Sequence, residues 1–146
     1  LTMVAAFPER VRIVTEFLDA IGNLDFDGAG RHLAENAIMD LPFVDGLPAL
    51  EGRSAIVGQL ATTIPQMFER MNFTYDRWYD VRGAETLIAE YHSECPTKGH
   101  DGTYRNRYIT IFGFDGDKIT LYKEYLNPVS MMAAAVPAEP VGDGAR

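Results

Sequence analysis

The chain has 146 residues, 47% hydrophobic and 23% charged, which suits one soluble globular domain with a real core. Its net charge of −8 argues against nucleic acid as a partner, because phosphate neutralisation needs clustered Lys and Arg, and the sequence offers no more than close pairs such as Arg105 and Arg107. A single cysteine, Cys95, cannot form an internal disulfide, and with three histidines it gives no structural zinc pattern; no metal or other cofactor is expected.

No apolar run approaches the ~20 residues of a membrane span. The opening LTMVAAFPERV lacks a basic region followed by a long apolar block, so no secretory signal is expected and the cytoplasm is the default compartment.

In chain order, Pro8 suits a helix start, and Val11, Val14, Leu18 and Ile21 mark one apolar helix face that closes at Gly22-Asn23. Asp25 or Asp27 can cap a short second helix through Arg31, His32 and Leu33. NAIMDLPFV reads as a short strand halted by Pro42, and DGLPALEG as a loop. From about Ser54 a third helix turns Ile56, Leu60, Ile64, Met67, Phe68 and Met71 inward, with a kink expected at Pro65. After Asn72 the period changes to two. FTYDRWYDV, TLIAEYHSEC, TYRNRYITIFGF and KITLYKEYL read as four strands, joined by tight turns at RGAE and DGD and a longer loop at PTKGHDG.

One α+β domain over residues 1–130 follows, with three N-terminal helices packed on a curved, mainly antiparallel sheet. The segment 131–146 holds little to bury and is expected to be a flexible tail. A twisted sheet curling around a long helix leaves a cone, and an unfilled cone is a pocket for a small-molecule ligand.

The element order, together with YRNRYITIFGFDGDKITLYKEYLNP (Tyr104–Pro128), resembles the nuclear transport factor 2-like superfamily, a cystatin-like cone. Within it the chain is most similar to the SnoaL-like and phenazine-biosynthesis A/B proteins, which carry Tyr-Arg-Asn at the start of one late strand and a Glu…Asn-Pro ending on the next. The matching residues are Tyr104-Arg105-Asn106 and Lys123-Glu124-Tyr125-Leu126-Asn127-Pro128. In architecture the likeness covers roughly residues 8–130; its sharp motifs lie only in the last two strands.

The resemblance implies that Glu124 points into the cone and carries protons, with Tyr122 and Leu126 on the same face. The opposite register would bury Lys123, which is harder to satisfy. Without the resemblance, a glutamate on the outer sheet face is the plainer reading. The phenazine enzymes' helical histidine is missing here; Gln59 and Thr63 are the nearest polar pair at that spacing. The catalytic positions of ketosteroid isomerases fall at Phe17, Leu41 and Thr110, so that mechanism does not transfer. The superfamily also includes cyclases, hydratases, epoxide hydrolases and plain binding modules, so the resemblance names no one reaction.

Other candidates follow from position. Asp40, beside Pro42 and Phe43 at the expected pocket mouth, is either a second carboxylate facing Glu124 or a loop cap. Asn106 and Tyr108 are convergent pocket donors or, alternatively, a strand-end tie and core filler. Trp78 lies in the polar register of its strand and suits a pocket wall or a subunit contact, and Phe17 is placed in the pocket. Glu90, His92 and Glu94 share one strand face, a proton relay or a solvated outer surface; His32 and His100 receive no role. The expectation is a homodimer through the outer sheet face, holding a cyclic or apolar molecule for cofactor-free isomerisation, cyclisation or dehydration. The alternative is a binding module of the same fold.

Overall fold

The computed structural model describes residues 3–99 and 101–135. Helix α1 (Phe7–Gly22) starts with Pro8 in its first turn and buries Ile13, Val14, Phe17, Leu18 and Ile21 along one stripe. Its C-terminus is a Schellman motif: the Leu24 amide bonds the Ile21 carbonyl at 3.0 Å and the Asp25 amide that of Ala20 at 2.8 Å. Leu24 takes the left-handed position at φ 60°, a place usually given to glycine. Gly22, two residues earlier, is needed for approach instead: a Cβ there would lie 2.5 Å from the Met71 carbonyl oxygen.

The Asp25 side chain caps α2 (Phe26–Gly30), accepting from the Gly28 amide. Strand β1 (Leu33–Asp40) begins three residues before the expected start at Asn36, taking Leu33 from the predicted helix. The loop read in DGLPALEG contains a two-residue strand, β2 (Leu50–Glu51). Helix α3 (Arg53–Met67) carries Pro65 in its last turn and stops two residues later. Phe68 and Met71 therefore reach the interior from the extended segment after the helix, not from a kinked continuation.

Strands β3 (Phe73–Asp80), β4 (Thr86–Pro96), β5 (Thr103–Asp115) and β6 (Lys118–Leu126) form the expected antiparallel meander. Gly116, at φ 60°, opens the two-residue β5–β6 turn, where a side chain would be strained. Among the described residues the sheet has six strands in the order β2-β1-β6-β5-β4-β3. β1 runs parallel to β6, so the N-terminal layer meets the meander at the strand that carries Glu124.

Residues 131–135, assigned to the expected tail, are helical. They belong to α4 (Pro128–Ala135), with Asn127 accepting from the Val129 amide at 3.0 Å and Pro128 at the first helical position. Asn-Pro is itself a helix-start signal, and Met131 packs against the core. The rest of the predicted tail, 136–146, and His100 lie outside the described residues. Among the described residues no helix is long and apolar enough to cross a membrane, and no group of His, Cys, Asp or Glu could hold a metal ion.

Candidate active site

Alternation puts Tyr122, Glu124 and Leu126 on the inner face of β6, and Asn106, Tyr108, Thr110 and Phe112 on that of β5. On β4 the inner set is Leu87, Ala89, Tyr91, Ser93 and Cys95. Glu90, His92 and Glu94 face outward, bonded to Tyr79, Asp76 and Arg105, which is the solvated alternative.

Between this inner face, α3 and α4 lies a cavity of about 340 Å³. Its walls are largely apolar, including Met39, Leu60, Ile64, Met67 and Met131. The polar groups on it are Gln59, Thr63 and Gln66 of α3 and Tyr104, Tyr108, Tyr122 and Glu124 of the sheet. Among the described residues no Lys, Arg or His lines it.

Glu124 is only 8% exposed. Two hydroxyls donate to its Oε2, Tyr91 at 2.5 Å and Tyr122 at 3.1 Å. The Thr110 hydroxyl, 3.5 Å from Oε2, lies 2.8 Å from the Tyr91 oxygen, which has given its own proton to Glu124 and accepts from Thr110. Oε1 takes no protein donor among the described residues. Burial pushes the carboxyl above its ordinary range, and the hydroxyls beside it, which favour the ionised form, offset this only in part. When the acid is neutral, its proton therefore belongs on Oε1, because Oε2 is already occupied by donors. The same burial, with the charge of Glu124, holds the Tyr91 and Tyr122 phenols well above their usual range, so both stay protonated as donors.

A second polar cluster lies further along β5. The Asn106 Oδ1 accepts from the amides of Arg107 (2.8 Å) and Asn127 (2.9 Å), and its Nδ2 donates to the Asn127 carbonyl (3.0 Å) and the Tyr104 hydroxyl (2.7 Å). Tyr108 donates to Tyr104 at 3.3 Å, and the Ser93 hydroxyl lies 2.7 Å from Tyr108.

Several expected positions need correction. Asp40 is in register with Lys123 on β6, while its neighbour Met39 takes the cavity side; it is not among the groups bonded to Glu124. The expected carboxylate pair is not made, because parallel pairing of β1 sets Asp40 one residue out of phase with the inner face. Asn106 does not line the cavity: its amide is spent tying β5 to the start of α4. Phe17 lies behind the wall, its edge toward Tyr122 (5.2 Å) and Phe112 (6.1 Å), which stack on each other at 5.5 Å. Phe43 is 58% exposed and packs on Tyr125 outside the sheet. Trp78 does not line the cavity either. A bulge between Tyr75 and Arg77 moves it out of the polar register and against Tyr75, at 5.4 Å.

Tyr122, Tyr108 and Leu126 line the cavity. The residues not anticipated in any role are Tyr91, which shares its face with Ser93 in a plain strand pattern, and Tyr104, noted only as part of a motif. Burial of a tyrosine beside a buried acid was the available signal, since a buried phenol needs a partner.

Residues 14–122 match the SnoaL-like domain, and the chain belongs to that family. It is 28% identical to YesE, an uncharacterised protein of Bacillus subtilis (strain 168), over 102 residues, 68% of this chain and 69% of that one. Among solved structures it resembles a provisionally named isomerase from Bacillus subtilis, with TM-score 0.81 and 22% identity over 91% of this chain and 98% of that one. It also resembles a provisionally named polyketide cyclase from Xanthomonas campestris pv. campestris, with TM-score 0.73 and 21% identity over 89% and 98% of the two chains. These structural likenesses establish the nuclear transport factor 2-like cone.

Proposed function

We propose that this domain is a cofactor-free acid/base enzyme of isomerase, cyclase or dehydratase type, with Glu124 as proton carrier and a cyclic or apolar metabolite in the cavity. The observation that carries this reading is the arrangement of Glu124: a buried carboxyl lining an apolar cavity, with one oxygen held by the Tyr91 and Tyr122 hydroxyls and the other without a donor among the described residues. A raised carboxyl is closer to the range useful for proton transfer near neutral pH. A single carboxyl can take a proton from one substrate atom and return it to another, which is all that isomerisation requires. The similarity to structures named isomerase and cyclase supports the class.

The reading places the protein in the cytoplasm, where a lone Cys95 stays reduced, and as a homodimer across the outer sheet face. Exposed Phe43, Ile109 and Tyr79 on that side of the molecule support the interface.

A specific observation favours a second reading, a ligand-binding module: among the described residues no second acid or base touches Glu124. Mass spectrometry of metabolite retained by the purified protein, followed by assay of Glu124→Gln with that metabolite, separates the two. The enzyme loses about 10²–10⁴-fold in turnover while still binding its ligand. A binding module shows no turnover in either form.

A further inference from the structure

The Asn106 amide is fully accounted for. Its Oδ1 accepts from two backbone amides, which settles its orientation, so Nδ2 must be the group that donates to the Tyr104 oxygen. That oxygen also accepts from Tyr108. Tyr108 has then given its only proton away, and the Ser93 hydroxyl 2.7 Å off serves as its donor. The chain of hydroxyls therefore runs one way, from Ser93 through Tyr108 to Tyr104, and ends on a phenol whose own proton has no protein acceptor among the described residues. Tyr104 lines the cavity, 6% exposed. Burial and the nearby charge of Glu124 hold its phenol up, so the proton stays on the oxygen at neutral pH.

An acceptor belonging to the ligand is the missing partner, since a buried hydroxyl left undirected is costly. The charge of that acceptor follows from the walls. With no Lys, Arg or His among the described residues lining the cavity, an anionic ligand would face Glu124 without a counter-ion. The Met, Leu and Ile walls call for hydrocarbon on the rest of the ligand.

We propose that Tyr104 is a ligand-binding residue that donates its hydroxyl proton to an uncharged acceptor oxygen, a ketone or similar carbonyl, on an otherwise apolar ring compound. This deepens the reading of the cavity as a small-molecule site and rests on it. Asn106 is a positioning residue, fixing which way Tyr104 points its proton.

The test uses three bicyclic probes on the full chain: α-tetralone, its hydrocarbon tetralin, and the anion α-naphthoate. The ketone should bind more tightly than the hydrocarbon by about fivefold, the worth of one neutral hydrogen bond, with naphthoate weakest. Tyr104→Phe should abolish the ketone's advantage and leave tetralin unchanged. The carbonyl stretch of bound tetralone should be lowered relative to hydrocarbon solvent, and Tyr104→Phe should return it. The infrared reading on the unaltered protein stands by itself should the variant fold poorly.

Equal binding of tetralone and tetralin, an unshifted carbonyl, a ketone preference that survives Tyr104→Phe, tightest binding by naphthoate, or no binding of any probe would each overturn the proposal. Failure of the catalytic reading looks different: Glu124→Gln would keep both turnover and the ketone preference.

Discussion

The Tyr91 hydroxyl lies 2.5 Å from Glu124 Oε2, a bond that reaches from β4 to β6 across the whole width of β5. It is possible because the row directly beside Glu124 is small. Thr110 sits opposite Glu124, and Ala89 opposite Thr110. Those two short side chains leave room for the carboxyl, and Tyr91, two residues from Ala89, leans over them. Its ring is held by stacking on Tyr108 at 4.8 Å and by the edge of Phe73 at 5.7 Å. The acid is thus set in a pre-arranged hydroxyl cluster before any ligand arrives.

Stability should carry the mark of this burial. The folded state holds the Glu124 proton more tightly than the unfolded chain, whose reference value is 4.5. Below that value both states are protonated and there is no penalty. As pH rises past it, the unfolded chain releases the proton first, so stability falls until the folded-state value is passed, and is then level. Glu124→Gln removes this slope. In urea titrations from acid to neutral pH the variant should gain on the parent as pH rises; parallel curves would show an acid that ionises freely.

Tyr91→Phe deletes a donor to the charged form of Glu124 and should push that carboxyl higher still. At neutral pH the loss of this charge-assisted bond should cost about 1–3 kcal/mol, and less in acid, where Glu124 is neutral. Infrared difference spectra report the midpoint directly through the carboxylic C=O band. A midpoint unmoved by Tyr91→Phe would contradict the assignment of Tyr91 as the principal donor.

Asn106→Ala leaves the amides of Arg107 and Asn127 and the Asn127 carbonyl without their side-chain partner. A loss of about 2–4 kcal/mol in denaturant unfolding is expected, since several part-buried groups go unpaired together. Amide exchange should accelerate at Asn127 and through α4, while the strands β4 and β6 keep their protection. Uniform acceleration would mean that Asn106 has no local role in holding the helix.

If the outer sheet face joins two copies, Ile109→Asp should split them. Ile109 is 45% exposed and points outward in the middle of β5. Sedimentation at micromolar concentration should show a dimer for the parent and a folded monomer for the variant, because an uncompensated carboxylate at an apolar contact is costly. A parent that sediments as a monomer removes the interface.

What the sequence determined by itself was whatever depends on local periodicity. Alternation groups Tyr122, Glu124 and Leu126 on one face, and the family resemblance, with the difficulty of burying Lys123, turns that face inward. The same rule groups Glu90, His92 and Glu94 on one face but leaves its direction open until the strands pack. Helix α1, the four-strand meander and the turn at Gly116 were legible for that reason too. Trp78 was misplaced because counting by twos assumes an unbroken ladder, and one bulge near Asp76 reverses every later side chain in β3. Asp40 was mispaired because its face depends on parallel pairing with β6, a contact between segments some eighty residues apart that no local pattern encodes. Likewise, only the packed structure could show that Tyr91 reaches Glu124 diagonally, or that Asn106 spends all four of its hydrogen bonds and so leaves the Tyr104 proton without an acceptor among the described residues. Faces are set by chain geometry within a few residues; partners are set by where distant strands meet.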